Sequence, residues 1–296
     1  MLRSLGVVTA ISLACAGIAG AQPAGVFRQP HDVGYGQSSS MDPVSKGKVF
    51  QITEKVMSRL IRTGIDGKPA PDLATSWTSD PTATVWTLKL RPGVSFHDGK
   101  AFTAADVVYT LARISDPKLD SPARSAVKAI KTVEAVDPMT VKITLADSFA
   151  DFPLVLTDYR LVMLPDGSGD SIARNGIGTG PFKVEKFDAQ GTTILVANPG
   201  YYEGAPGVAR VEIIGIPDAQ ARFQALLGGQ IDMLPGLDRQ EIALLTRSGK
   251  HQLQQIPSGN WRGIVFRTDV KPYDDVRVRK ALRMVVDRDA MRDLVV

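Results

Sequence analysis

The sequence predicts an α/β fold, and three features of it do so. Val85-Trp86-Thr87-Leu88-Lys89-Leu90 and Val141-Lys142-Ile143-Thr144-Leu145 alternate apolar and polar residues with period two, the pattern of strands buried on one face. Thr103-Ala104-Ala105-Asp106 is a capping box, and Val107, Val108, Leu111 and Ile114 follow it as a stripe at helical spacing. Residues 208–216 read as a strand that runs directly into a helix capped by Asp218. Strand, helix and strand therefore alternate there as in a parallel α/β sheet.

The remaining elements follow from the same signals. Asp137-Pro138 is a turn, so residues 132–136 pair with 141–145 as a hairpin whose sheet is wetted on one side. The helix capped by Asp218 carries Phe223, Leu226 and Leu227, and Gly228-Gly229 stops it before Ile231-Asp232-Met233-Leu234. Asp238-Arg239-Gln240-Glu241 opens a further helix with Ile242, Leu244 and Leu245.

Composition narrows the class. With 296 residues, 44% hydrophobic and 22% charged, the chain has too much apolar content to be disordered, and its 27 Gly and 19 Pro show no collagen period. Length permits about two domains with a core that needs neither metal nor cross-link. The net charge of +4 is not gathered into a basic run, which argues against a nucleic-acid partner. At the N-terminus a short positive start at Arg3 precedes an apolar stretch over 5–18, and Ala19-Gly20-Ala21 is a small-x-small cleavage pattern. Residues 1–21 are therefore expected to be a signal peptide. The apolar run falls short of the ~20 residues that span a bilayer, and Cys15 lies inside it, not where lipid attachment would need it. Cleavage removes the chain's one cysteine, so the exported protein carries no thiol to misoxidise.

Catalytic constellations are hard to find. His31, His97 and His251 lie far apart with no metal-ligand spacing. His97-Asp98 sits in the polar turn Phe96-His97-Asp98-Gly99-Lys100, and Ser168 with Asp170 falls in a loop stretch without a nucleophile elbow. Gly176-Ile177-Gly178-Thr179-Gly180-Pro181 enters a strand at Phe182, whereas a phosphate cradle opens a helix. We therefore expect neither an enzyme nor a resident cofactor or metal.

A series of motifs in one order carries a resemblance. Asp66-Gly67-Lys68-Pro69-Ala70-Pro71-Asp72-Leu73-Ala74-Thr75-Ser76-Trp77 is followed by Trp86-Thr87-Leu88-Lys89-Leu90-Arg91-Pro92-Gly93-Val94-Ser95-Phe96-His97-Asp98-Gly99 and by Phe102-Thr103-Ala104-Ala105-Asp106-Val107-Val108-Tyr109. Downstream come Gly178-Thr179-Gly180-Pro181-Phe182, then Asn198-Pro199-Gly200-Tyr201-Tyr202-Glu203-Gly204, then Gly229-Gln230-Ile231-Asp232 and finally Tyr273-Asp274-Asp275-Val276-Arg277-Val278-Arg279-Lys280-Ala281-Leu282. The series resembles the dipeptide, oligopeptide and nickel class, family 5, of extracytoplasmic solute-binding proteins of ABC importers.

That resemblance implies the type II periplasmic binding protein fold. It implies a monomeric periplasmic carrier that takes a peptide or small-molecule ligand to an inner-membrane permease. It also places a main α/β subdomain of the first lobe in 22–48 and 178–264, an inserted subdomain in 49–177 and the start of a second lobe in 265–296. Family members continue into that second lobe, so the expectation here is a first lobe with the second largely missing. Val276, Ala281, Leu282, Val285 and Val286 then form an apolar stripe whose partners belong to the missing part. A single wall of a closing cleft is expected to have little affinity for peptides.

The resemblance carries the candidate ligand residues too. Tyr35, Gln37, Ser38, Ser39 and Met41 fall in the loop it places at the pocket edge, against the alternative of a plain Ser/Gly surface loop. Tyr159 and Arg160 fall where relatives present a ligand-facing charge; Arg160 would hold a carboxylate in a bidentate pair or else pair with Asp158. Asn260 and Trp261 precede the strand that crosses between lobes, where Trp261 would stack on ligand or pack in a core. Asp98, Asp106 and Asp232 read as turn and cap residues. Two other classes stay open: an exported hydrolase using His97 with Asp98 or Ser168 with Asp170, and a remnant that binds nothing. Peptides are the default solute, with nickel chelates, glutathione, opines and oligosaccharides as alternatives.

Overall fold

The computed structural model describes residues 23–31, 40–44, 50–254, 265–288 and 290. The expected signal peptide over 1–21 lies outside them, and no described helix is long and apolar enough to cross a membrane. The described residues form two compact units that divide between Met233 and Leu234.

In chain order the first unit contains β1 (Val26–His31), α1 (Phe50–Val56), β2 (Ile61–Thr63), β3 (Pro69–Pro71), β4 (Ala74–Ser79), β5 (Val85–Leu90), α2 (Ala104–Ser115), β6 (Ile130–Asp137) and β7 (Thr140–Leu145). It continues with the one-turn helices α3 (Phe152–Val155) and α4 (Ile172–Asn175), then β8 (Phe182–Lys186), β9 (Thr192–Ala197), β10 (Arg210–Gly215) and α5 (Ala219–Leu227). Two four-stranded sheets result, ordered β1-β10-β9-β8 and β4-β5-β7-β6, with β2 and β3 as a separate pair.

The second sheet is antiparallel throughout and follows the predicted alternation. Trp86, Leu88 and Leu90 of β5 are buried, as are Val141, Ile143 and Leu145 of β7. The register sets Trp86 opposite Ile143 and Leu88 opposite Val141, so the apolar residues of adjacent strands share one face. The β6–β7 hairpin turns at Asp137, whose Oδ1 accepts from the Met139 N–H at 2.7 Å. Helix α2 lies against β6 and β7 and buries Val107, Leu111 and Ile114, while Val108 is half-buried.

Asp106 has no exposed surface. Its carboxylate closes the capping box by accepting from the Thr103 N–H at 2.7 Å. It also accepts from the Asp166 N–H at 2.7 Å and pairs with the Lys100 ammonium. The acidic cap therefore joins three chain segments as well as starting a helix.

The first sheet departs from the predicted parallel arrangement. Only β1 and β10 run parallel; β10, β9 and β8 are antiparallel neighbours. The strand expected after α5 is not formed: residues 231–234 meet β1 through one backbone bond, from Asp232 N–H to the Arg28 carbonyl at 2.8 Å. The Arg28 N–H turns instead to the Asp232 carboxylate at 2.6 Å. Pro30, two residues further along β1, has no N–H with which to continue a ladder. One core of buried residues includes Val211, Ile213 and Leu195 of this sheet together with Leu88, Ile143 and Leu111. Helix α5 buries Phe223, Ala225 and Leu226, and Leu227 faces outward.

The second unit contains α6 (Arg239–Ser248) and α7 (Val276–Val285). Asp238 and Glu241 form the capping box of α6, each side chain accepting the other's N–H at 2.8 Å. Leu245 is the buried residue of α6; Ile242 and Leu244 are exposed. Asp275 caps α7, which buries none of its residues and leaves Val276, Leu282 and Val285 exposed.

Replacing Asp106 by Ala should orphan the Lys100 ammonium and two backbone donors, at a cost of about 3–5 kcal/mol, as for breaking a buried charge pair. Urea unfolding of the Asp106→Ala variant checks this. A loss below 1 kcal/mol would show the carboxylate to be a simple helix cap.

Candidate functional site

Ligand pockets form where loops at strand ends converge on a rigid scaffold, so the geometry of those loops decides what this chain can offer. The chain returns from the β4–β7 sheet to β8 through Gly178-Thr179-Gly180. The Gly180 N–H donates to the Val56 carbonyl at 2.9 Å, at the end of α1. A Cβ on Gly178 would lie 2.1 Å from the Val56 oxygen, and one on Gly180 2.6 Å from the Lys55 oxygen. Both contacts are with backbone, so only glycine fits.

His97 closes this crossing from the other side. Its N–H donates to the Gly178 carbonyl at 2.9 Å. The ring Nδ1 faces the Gly178 N–H at 3.3 Å and Nε2 faces the Gly180 carbonyl at 3.0 Å. Those partners assign a neutral ring that accepts at Nδ1 and donates from Nε2. Burial, with the Lys183 charge adding to it against the opposing Gly180 bond, holds the imidazole below its usual value of 6.5. Asp98 meanwhile accepts the Lys100 N–H at 3.0 Å. His97 and Asp98 thus serve a turn and a crossing, as the sequence pattern suggests.

The segment Ser40–Val44 (numbers 40–44) is held with equal care. Met41 is fully buried, its N–H donates to the Ala173 carbonyl at 2.9 Å, and its sulfur packs where a Cβ on Gly176 would sit, 2.8 Å away. Gly176, at φ +55°, ends α4 in the left-handed region. Asp42 accepts the Val44 N–H at 2.9 Å and pairs with the Arg113 guanidinium of α2 at 2.5 Å. Tyr35, Gln37, Ser38 and Ser39, which precede this segment, lie outside the described residues, as do Asn260 and Trp261.

Tyr159 and Arg160 sit beside Asp158. Arg160 donates from Nε at 2.9 Å and Nη2 at 2.5 Å to the two oxygens of Asp158, and from Nη1 at 2.7 Å to the Pro122 carbonyl. Its guanidinium also lies 5.6 Å from the ring centre of Tyr159, an exposed side chain. Burial opposes the charge on Asp158, yet the Arg160 bonds prevail and keep the carboxyl below its usual range. Of the two roles open to Arg160, the ion pair with Asp158 is the one formed. Asp158 also borders an open groove of about 750 Å³ lined in part by Ser125, Lys128, Asp147, Phe149 and Leu154.

A second buried polar knot escapes sequence inspection. The Tyr202 hydroxyl donates to Asp72, which also accepts the Arg59 N–H at 3.1 Å, and the Arg91 guanidinium lies 5.0 Å from the Tyr202 ring centre. Arg62 and Glu203 pair beside it at 2.7 Å. Burial raises the pKa of both Asp72 and Tyr202, so the carboxylate and phenol share a proton-poor pocket. The motifs around Asp72 and Tyr202, 130 residues apart, thereby become one structure. Ser168 and Asp170 remain apart in role: the Asp170 side chain is 95% exposed, 3.9 Å from Arg113.

Residues 68–296 match the family described as bacterial extracellular solute-binding proteins, family 5 Middle. The chain is 31% identical over 272 residues to heme-binding protein A of Haemophilus influenzae, covering 82% of this chain and 49% of that protein. It is 30% identical over 226 residues to the glutathione-binding protein GsiB of Escherichia coli K12, covering 74% and 44%. Among solved structures it is similar to NikZ of Campylobacter jejuni in complex with Ni(L-His), with a TM-score of 0.76, 26% identity and coverage of 90% and 54%. The chain thus spans about half the length of the curated relatives it matches.

Two outcomes test this geometry. Gly180→Ala should force the crossing off Lys55 and Val56 and cost about 2–3 kcal/mol in urea unfolding; an unchanged midpoint would mean the close approach is dispensable. Because the folded pKa of His97 lies below the unfolded value, the unfolded chain binds the extra proton first. Stability should therefore fall as pH drops below 6.5, and His97→Gln should flatten that part of the profile. A wild-type profile that stays flat across that window would contradict the neutral, backbone-bound ring.

Proposed function

Because this chain belongs to family 5 of the bacterial extracellular solute-binding proteins, we propose that it is the periplasmic solute-binding component of an ABC importer, presenting a peptide or similar small solute to an inner-membrane permease. One observation carries the reading: the ordered motif series falls within a match over residues 68–296, and its members pack as the joints of one scaffold. Export through the 1–21 signal peptide is part of the same proposal. So is action as a monomer.

The ligand wall we propose comprises Tyr35, Gln37, Ser38, Ser39 and Met41 at one edge, Tyr159 and Arg160 at another, and Asn260 with Trp261. Met41, being buried, would offer backbone and position; its side chain packs inside. Arg160 would meet a ligand carboxylate by exchanging it for Asp158, since its donors are already engaged. We also propose 22–48 with 178–264 as the main subdomain, 49–177 as an insertion and 265–296 as the start of a second lobe. Support comes from the sheets: β1 with β8–β10 form one, and β4–β7 another. The compact units divide earlier, after Met233.

A hydrolase built on His97 finds no support in the ring's geometry, because both nitrogens face backbone of the Gly178–Gly180 crossing. For the solute, the named relatives extend from heme to glutathione and Ni(L-His). Calorimetry of the chain with glutathione, a mixed di- and tripeptide set and Ni(L-His) should give weak but saturable heat with one of these classes and no turnover. Arg160→Ala should weaken that heat several-fold if a carboxylate is held there. Turnover of a peptide or ester that is lost in His97→Ala would overturn the reading.

A further inference from the structure

Arg113 and Asp42 are joined by a contact that stability alone explains poorly. Their side chains are 10% and 9% exposed, and they meet through a single nitrogen at 2.5 Å. The Arg113 Nε is buried without a hydrogen-bond partner. Such a pair sacrifices the hydration of two ions for one good contact, and apolar replacements of similar volume are often as stable or more so. What the pair does achieve is registry. It ties residues 40–44 to α2 of the other sheet, 71 positions away in sequence.

Three further contacts converge on the same five residues. The Met41 N–H is bonded to Ala173, the Met41 sulfur occupies the space left by Gly176, and the Val44 N–H is held by the other oxygen of Asp42. The apolar and backbone contacts hold Met41 to α4. Only the ion pair holds the segment to α2, and a charge pair has one partner where an apolar contact has many.

We infer that Arg113 is a positioning residue, fixing through Asp42 the place at which the ligand-facing segment ending at Met41 joins the scaffold. This rests on the proposed function only in calling that segment ligand-facing; the positioning itself is independent of it.

The test is the double variant D42N/R113M in the full chain. It removes both charges, so no uncompensated ion is buried, and it keeps an Asn Oδ1 to accept the Val44 N–H. Hydrogen exchange should show at least tenfold faster exchange at the Met41 amide, with the amides of Leu111 and Ile114 in α2 unchanged and the urea midpoint close to that of the parent. R113M and D42N alone should speed Met41 exchange as much as the double variant does. Unchanged exchange at Met41 would overturn the inference. So would equal acceleration at Met41, Leu111 and Ile114, which marks a general stabilising role. The ligand-facing part is read separately, with glutathione as probe. If the parent binds it, the double variant should bind more weakly; equal binding with faster Met41 exchange would leave Arg113 as a positioning residue of a segment that ligand does not touch.

Discussion

The scaffold depends on one close approach of backbone to backbone. Where the chain crosses from the β4–β7 sheet back to β8, Gly178 and Gly180 lie against the last carbonyls of α1 with no room for a Cβ. His97 bridges the same crossing with both ring nitrogens and its own N–H. Two sheets that share one buried core have their mutual placement set by these contacts, because the strands on either side contain no freedom to absorb a shift. The glycines are needed for space, the histidine for its paired donor and acceptor, and neither role calls on reactivity.

Buried carboxylates extend the same logic through the first unit. Asp106, Asp72 and Asp42 each accept a backbone N–H and meet one further donor from a distant segment. A carboxylate can accept from several directions, so one residue joins three segments that apolar contacts would leave free to slide. The consequence is a rigid wall for loops that must meet a solute in one geometry. A carrier needs that rigidity more than it needs a reactive group, since its specificity is a difference in contacts.

Local patterns were read correctly where the physics is local. The β5 and β7 alternations, the hairpin at Asp137, and the capping boxes at Thr103 and Asp238 each lie within a few residues of sequence and form as expected. The parallel sheet was not, because pairing direction depends on which strands meet. β9 and β8 come back antiparallel beside β10, and Pro30 denies the 231–234 segment a ladder on β1. Leu227, Ile242 and Leu244 likewise fit helical stripes yet face outward, since a stripe shows which side could be buried and not how wide the neighbour is.

By itself the sequence determined the α/β class, the positions of the caps and turns, and, through an ordered series of motifs, the family. Those follow from residue spacing along the chain, which folding preserves. Only the tertiary structure decided what the motif residues touch. Asp72 meets Tyr202, Asp42 meets Arg113, His97 meets Gly180, and Arg160 pairs with its neighbour Asp158. Polar side chains buried in a core take whichever partner the fold brings within about 3 Å, and for three of these four pairs that partner lies dozens of residues away, where spacing carries no record of it.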